Sequence, residues 1–156
     1  MKNLPKLLVS IAVCELVGIL STPFTIAAIP VWYASLIKPP FSPPSWIFGP
    51  VWTLLYALMG ISFFLIWVKG LNKKKVKTAL TYFLIQLALN FLWSISFFGF
   101  HSPLLGFVNI IFLLVFIILT IKHFYPLSKN ASYLLIPYLL WVIFATVLNG
   151  AFLILN

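Results

Sequence analysis

The aromatic side chains are the residues of this sequence best suited to hold a ligand. They make up 18% of the 156 residues, and many lie in or just after the proline-rich stretch 30–50. Flat rings can enclose a planar apolar molecule by stacking against it and burying it from water. The candidates for such a cage are Trp32, Tyr33, Phe41, Trp46, Phe48, Trp52, Trp93 and Trp141.

Part of this set has a second explanation, the belt of aromatic residues at the two membrane–water interfaces. The belt is the better explanation for Trp67 and Tyr125, which lie at the ends of apolar segments. It explains Trp93 and Trp141 less well, because both share a predicted helix face with polar or small side chains.

Two helix faces combine tryptophan with polar or small residues. Gln86, Asn90 and Trp93 recur at i, i+4 and i+7, and amides in hydrocarbon need partners, so this face is predicted to point into a bundle. On the last apolar segment, Trp141 and Ala145 place a large ring beside a small side chain. That shape suits a flat ligand, although helix packing uses the same pattern.

Glu15 is the only acidic residue, and it lies within the first apolar segment, with Gly18 and Thr22 at i+3 and i+7. A carboxyl within a membrane usually faces a cavity or a partner rather than lipid. Two interpretations stay open: a ligand-facing or proton-sensitive group, or a protonated carboxyl hydrogen-bonded to a neighbouring helix near Gly18.

Membrane helices must position these residues. Hydrophobic residues make up 63% of the chain, charged residues 7%, and the mean hydropathy is +1.17, which excludes a soluble domain. A spanning helix needs about 20 apolar residues. The sequence predicts an all-α integral membrane protein, a single five-transmembrane-helix bundle over residues 1–156. Its spans are expected at about 7–29, 46–68, 78–100, 103–124 and 132–155, and Pro137 should kink the last one.

The lysines predict the orientation of this bundle. Five spans place nine of the ten lysines on the side of the N-terminus and only Lys38 on the other. The N-terminus should therefore be cytoplasmic, with the first loop and the C-terminus outside. The split, and the lack of an arginine-rich leader, predict a prokaryotic plasma membrane. With no arginine and with lysines confined to the flanks of apolar spans, nucleic acid is excluded as a partner and the lipid bilayer is expected.

Conventional catalytic and metal-binding patterns are not found in the sequence. There is no P-loop, no glycine-rich dinucleotide turn and no Ser/His/Asp set at readable spacing. His101 and His123 are predicted near opposite membrane faces and Cys14 stands alone, which argues against a metal site. No cofactor is required on this reading.

Three motifs resemble the TspO/MBR family of translocator proteins and tryptophan-rich sensory proteins. They are WYASLIKPPFSPPSWIFGPVWTLLYALMG at 32–60, QLALNFLWSISFF at 86–98 and PYLLWVIFATVLN at 137–149. The resemblance covers nearly the whole chain. It implies a five-helix bundle, commonly a homodimer, that binds porphyrins and synthetic benzodiazepine-site drugs between the first loop and helices two, three and five.

Carried over by position, the resemblance implies a set of ligand-binding residues. They are Trp32, Tyr33, Trp52, Asn90, Trp93, Ser94, Trp141, Ala145 and Leu148. Lys38 is added as a group that could pair with a porphyrin propionate at the outer surface. Animal members carry a cholesterol motif after helix five that needs a tyrosine and a basic residue. Residues 150–156 contain neither, so sterol recognition of that kind is not expected.

The resemblance leaves three functions open. The first is a binding or sensory protein for a protoporphyrin-type tetrapyrrole or another planar hydrophobic ligand. The second is an enzyme that degrades the bound porphyrin with light and oxygen, for which Trp52 and Trp141 are the candidate catalytic residues. The third is a porphyrin transporter, which the single intramembrane carboxyl disfavours as an ion-driven machine.

Overall fold

A computed structural model describes residues 2–156, and all the regular structure in this range is helical. Five segments are long and apolar enough to cross a membrane, as the sequence predicts. The helices are α1 (Leu4–Ala28), α2 (Phe48–Trp67), α3 (Lys74–Ser94), α4 (Pro103–Phe124), α5 (Lys129–Leu134) and α6 (Ile136–Leu155). The short α5 and the long α6 together form the fifth span, Lys129–Leu155.

Proline and π-helical turns decide where the spans end. The first span runs to Tyr33, beyond the expected 29, because the chain continues helically through a π turn at Ile29–Tyr33. A second π turn, Ile95–Gly99, extends α3. The last span is interrupted at Leu135, two residues before Pro137, because proline supplies no backbone N–H to continue the helix.

The end of the bundle that carries nine lysines is densely packed. Met59, Ile66, Phe83 and Phe124 are each at most 1% exposed there, and the rings of Phe83 and Phe124 stack with centroids 5.8 Å apart. On the same side, α1 approaches α2 at Gly60, where a Cβ atom would lie 2.5 Å from the Ile11 Cα. A side chain larger than hydrogen would therefore push these two helices apart.

The first loop, residues 34–44, is held at the opposite end of the bundle. The Ile37 backbone N–H donates to the Asn156 Oδ1 atom at 2.8 Å, and Asn156 Nδ2 donates to the Ile37 carbonyl at 3.1 Å. The Tyr33 and Ser42 hydroxyls lie 3.5 Å apart. These contacts join the loop to the end of α6 and to the end of the first span, so the loop has a defined position over the helices.

Candidate functional site

A cavity of about 460 Å³ lies in the half of the bundle nearest the first loop. Four of the five spans enclose it, because its lining residues come from the second half of α1, the first turns of α2, the end of α3 and most of α6. The lining includes Glu15, Gly18, Thr22, Tyr33, Phe48, Trp52, Tyr56, Asn90, Trp93, Ser94, Trp141, Ala145, Leu148 and Phe152.

The structure brings eight of the ten sequence-predicted binding residues together around this cavity. The eight are Tyr33, Trp52, Asn90, Trp93, Ser94, Trp141, Ala145 and Leu148. Trp32 and Lys38 are not among its lining residues. The Trp32 ring instead stacks on His101 with centroids 4.9 Å apart. Lys38 Nζ donates at 3.1 Å to the backbone carbonyl of Tyr33, which itself lines the cavity.

Tryptophans from three helices form much of the wall. Trp52 of α2 packs against Tyr56 with ring centroids 5.5 Å apart. Trp141 of α6 contacts Phe48 edge-on at 6.3 Å. Such tilted and edge-on arrangements are the favoured geometries for aromatic pairs, so each ring holds its neighbour in place.

Trp93 of α3 is oriented by a hydrogen bond. Its indole Nε1 donates to Asn149 Oδ1 at 3.1 Å, and the Asn149 amide donates in turn to the Pro103 carbonyl at 2.8 Å. The ring also stacks on Phe97 with centroids 5.4 Å apart and an interplanar angle of 17°. The hydrogen bond to Asn149 therefore holds the edge of the Trp93 ring, and the stacking on Phe97 holds its face.

A chain of buried hydrogen bonds closes the inner end of the cavity. The Tyr56 hydroxyl donates to Asn90 Oδ1 at 2.6 Å, and Asn90 Nδ2 donates to the Tyr138 hydroxyl at 2.8 Å. Tyr138 donates to Gln86 Oε1 at 2.8 Å. The four side chains are between 0% and 4% exposed, so the chain joins α2, α3 and α6 away from lipid.

The wall contributed by α1 is polar at one end and open along its length. Glu15, Gly18 and Thr22 all line the cavity, and the Tyr56 ring packs over Gly18, where a Cβ would lie 2.7 Å from it. Two further lining residues are exposed, Ile26 at 65% and Trp46 at 72%. The cavity therefore opens sideways, between α1 and the segment that starts α2, toward the surrounding bilayer.

Comparisons with known proteins identify the family of the chain. A family model described as the TspO/MBR family matches residues 10–155. The chain belongs to the TspO/MBR family. It is 48% identical to the tryptophan-rich protein TspO of Archaeoglobus fulgidus over 155 residues, a match that covers 99% of each chain.

More distant relatives include animal and bacterial members of the TspO/MBR family. The translocator protein of Homo sapiens is 39% identical over 120 residues, or 76% of this chain and 70% of that protein. The tryptophan-rich sensory protein of Cereibacter sphaeroides is 34% identical over 125 residues, or 80% of this chain and 77% of that one. The chain is therefore a multi-pass membrane protein with close prokaryotic relatives.

Sequence reasoning missed Phe152 in the wall of this cavity and Tyr138 in the hydrogen-bond chain beside it. Tyr138 was not singled out, although it lies three residues before Trp141 and therefore on a neighbouring part of the same helix face. The contribution of Phe152 was also missed, because an apolar residue near a span end carries no distinguishing pattern. Glu15, for which the sequence leaves two interpretations open, lines the cavity.

The Tyr56–Asn90 hydrogen bond should contribute measurably to stability. Asn90→Leu leaves the buried Tyr56 hydroxyl without its acceptor and is expected to lower the free energy of unfolding by about 1–3 kcal/mol. In a Tyr56→Phe background the same change should cost less, because the orphaned hydroxyl is gone. Unfolding by sodium dodecyl sulfate in mixed micelles measures the free energy of unfolding of the wild type, the two single variants and the double variant. Thr81→Val is the matched control, since the Thr81 hydroxyl is exposed and bonds only its own helix. Strictly additive effects of the two changes would contradict the coupling.

Proposed function

We propose that the protein binds tetrapyrroles of the protoporphyrin type, and other planar hydrophobic molecules, in the cavity below the first loop. The observation that carries the proposal is that Trp52, Trp93 and Trp141, from three different helices, line one cavity. A planar macrocycle gains from stacking and edge contacts with several fixed rings at once. The names of the family relatives, translocator and sensory protein, are compatible with such a role.

The volume and the opening of the cavity are compatible with a bound organic ligand. Its volume of about 460 Å³ lies within the usual range of about 300–1,000 Å³ for small-molecule sites. The sideways opening next to Ile26 and Trp46 would let the edge of a macrocycle project toward lipid. Lys38 donates to the backbone carbonyl of Tyr33, a lining residue, and would be available to a propionate that leaves the cavity on the side of the first loop.

The packing of the bundle favours binding over transport. The half that carries nine lysines is filled by side chains such as Met59 and Phe83, which are at most 1% exposed. A porphyrin moving across the membrane would have to displace this packed core. A receptor that holds its ligand in one half of the bundle needs no such rearrangement.

Replacing a wall tryptophan should weaken porphyrin binding. Trp52→Phe or Trp141→Phe removes part of the aromatic contact and is expected to raise the dissociation constant for protoporphyrin about three- to tenfold. Quenching of intrinsic tryptophan fluorescence by protoporphyrin, in detergent, measures it. Trp67→Phe is the control, because Trp67 ends α2 at the opposite end of the bundle and packs on Phe63. Equal affinities in all of these variants would contradict the proposed site.

Light-dependent degradation of the bound porphyrin is a second candidate, favoured by the placement of two oxidisable tryptophans in the cavity wall. The photoexcited macrocycle would accept an electron from Trp52 or Trp141 and pass it to dioxygen, which becomes superoxide. The tryptophan radical then recovers an electron from the macrocycle, and superoxide adds to the porphyrin radical cation that this leaves. Illumination of the aerated complex should then give a product whose absorption spectrum differs from that of porphyrin bleached in detergent alone. At saturating porphyrin, Trp141→Phe should lower the yield of this product, and Trp141→Phe combined with Trp52→Phe should abolish it, while the ligand remains bound. A spectrum identical to that of detergent bleaching would leave binding as the only function of the site.

The lysine end of the bundle is inferred to face the cytoplasm of a prokaryotic cell. The lysines at the start of α1, between α2 and α3, and around the end of α4 share that end, and lysine-rich short loops are retained inside. After Cys14→Ser, single cysteines introduced at Lys73 and Ser42 should differ in reactivity with a membrane-impermeant maleimide. Intact cells are expected to label only Ser42→Cys. Labelling of Lys73→Cys alone would contradict the inference and show that the lysine end faces outward.

A further inference from the structure

We propose that Glu15 makes the cavity selective for hydrophobic ligands that carry a protonated amine at their inner end. The inference rests on the proposed function only in taking this cavity as the ligand site. It adds a ligand class, aromatic or otherwise apolar amines, that the tryptophan walls alone do not specify.

Within residues 2–156, Glu15 has no basic side chain near it on its own span. It is the only carboxylic side chain in the chain, and no lysine occurs between Lys6 and Lys38. Lys6, nine residues earlier, is about 13 Å away along the helix axis. A carboxyl at this depth is costly unless a partner compensates it, and the wall it lines is where a partner can arrive.

Three hydroxyl donors in the cavity wall are already used. The Ser21 hydroxyl donates to the Val17 carbonyl at 2.8 Å and the Thr22 hydroxyl to the Gly18 carbonyl at 2.9 Å. On α2, Thr53 donates to its own helix at Gly49, also at 2.9 Å. These side chains satisfy backbone carbonyls rather than Glu15. A ligand is therefore the natural source of a donor for the carboxyl.

The Tyr56 hydroxyl is committed as well, since it donates to Asn90 at 2.6 Å. Its ring, however, remains at the cavity surface and packs over Gly18, one helical turn from Glu15. Trp52 lies beside this ring, with centroids 5.5 Å apart. A carboxylate one helical turn from an electron-rich ring, with a second ring beyond it, is a combination that stabilises an ammonium group in an apolar site, through ion pairing and cation–π attraction.

Glu15 lies at the inner end of the cavity. Along α1, the lining residues begin at Glu15 and continue to Tyr33 beside the first loop, and the packed core lies on the other side of Glu15. An amine would therefore be held deepest, with the apolar body of the ligand between the tryptophans. The same charge repels carboxylates, so the propionates of a porphyrin are expected to point away from Glu15 and toward the loop.

The test compares a cationic and a neutral ligand of the same ring frame. Proflavine is a planar tricyclic amine that is protonated at neutral pH, and anthracene is its uncharged counterpart. Binding of both to the full chain in zwitterionic nanodiscs is measured by fluorescence, and the ratio of the two dissociation constants is the readout. Because a ratio is used, a variant that merely lowers the amount of folded protein does not change the result.

Glu15→Gln keeps the size of the side chain and removes its charge. The preference for proflavine over anthracene is expected to fall about tenfold or more, the usual effect of losing a charge-assisted bond. Glu15→Asp, which keeps the carboxyl, should retain most of the preference. A ratio unchanged by Glu15→Gln, or a wild-type protein that does not bind proflavine, would overturn the proposal.

The outcome is separable from that of the porphyrin proposal. If protoporphyrin does not bind while the proflavine preference depends on Glu15, the tetrapyrrole proposal fails and the amine proposal stands. If protoporphyrin binds but Glu15→Gln does not change the ratio of the two dissociation constants, the amine proposal fails and the tetrapyrrole proposal stands.

Discussion

The bundle depends on one constraint, that polar side chains in hydrocarbon must find their partners within the protein. The chain from Tyr56 through Asn90 and Tyr138 to Gln86 meets it with bonds of 2.6 to 2.8 Å across three helices. A rotation or shift of α2, α3 or α6 would leave at least one buried group unpaired, so the network fixes how these helices face one another. Tyr56 and Asn90 also line the cavity. The interaction that orders the bundle therefore also sets the inner limit of the site.

The two halves of the bundle differ because of the sizes of side chains at the helix contacts. In the lysine-bearing half, Gly60 lets α1 touch α2 directly, and the remaining space is filled by residues such as Phe83 and Phe124. In the other half, large rings project from separate helices and meet edge-on, as Phe48 and Trp141 do at 6.3 Å. Rigid rings in contact at their edges leave space between their faces. The cavity follows from this geometry.

The first loop lies over the helices next to the site and is joined to the end of α6. Its prolines restrict the conformations of the unbound segment, which lowers the entropy lost when the loop is ordered over the helices. Asn156 then fixes its position by two hydrogen bonds to Ile37, across 119 residues of sequence. The loop does not form the wall itself, since none of residues 34–44 lines the cavity and its walls are built by the helices and the turn that starts α2.

The sequence by itself determined the class of protein, the number of spans and the helix faces that carry Trp52, Asn90, Trp93 and Trp141. These follow from composition and from local periodicity, which act over a few residues. Only the tertiary structure decided that these faces enclose one cavity, that Tyr138 and Gln86 complete the hydrogen bonds of Asn90, and that Trp32 turns away to stack on His101. The same holds for Glu15, for which the sequence left two interpretations open and the structure placed the carboxyl in the cavity wall. The physical reason is that the rotation and separation of helices depend on side chains that meet from distant parts of the chain, and no local pattern encodes that meeting.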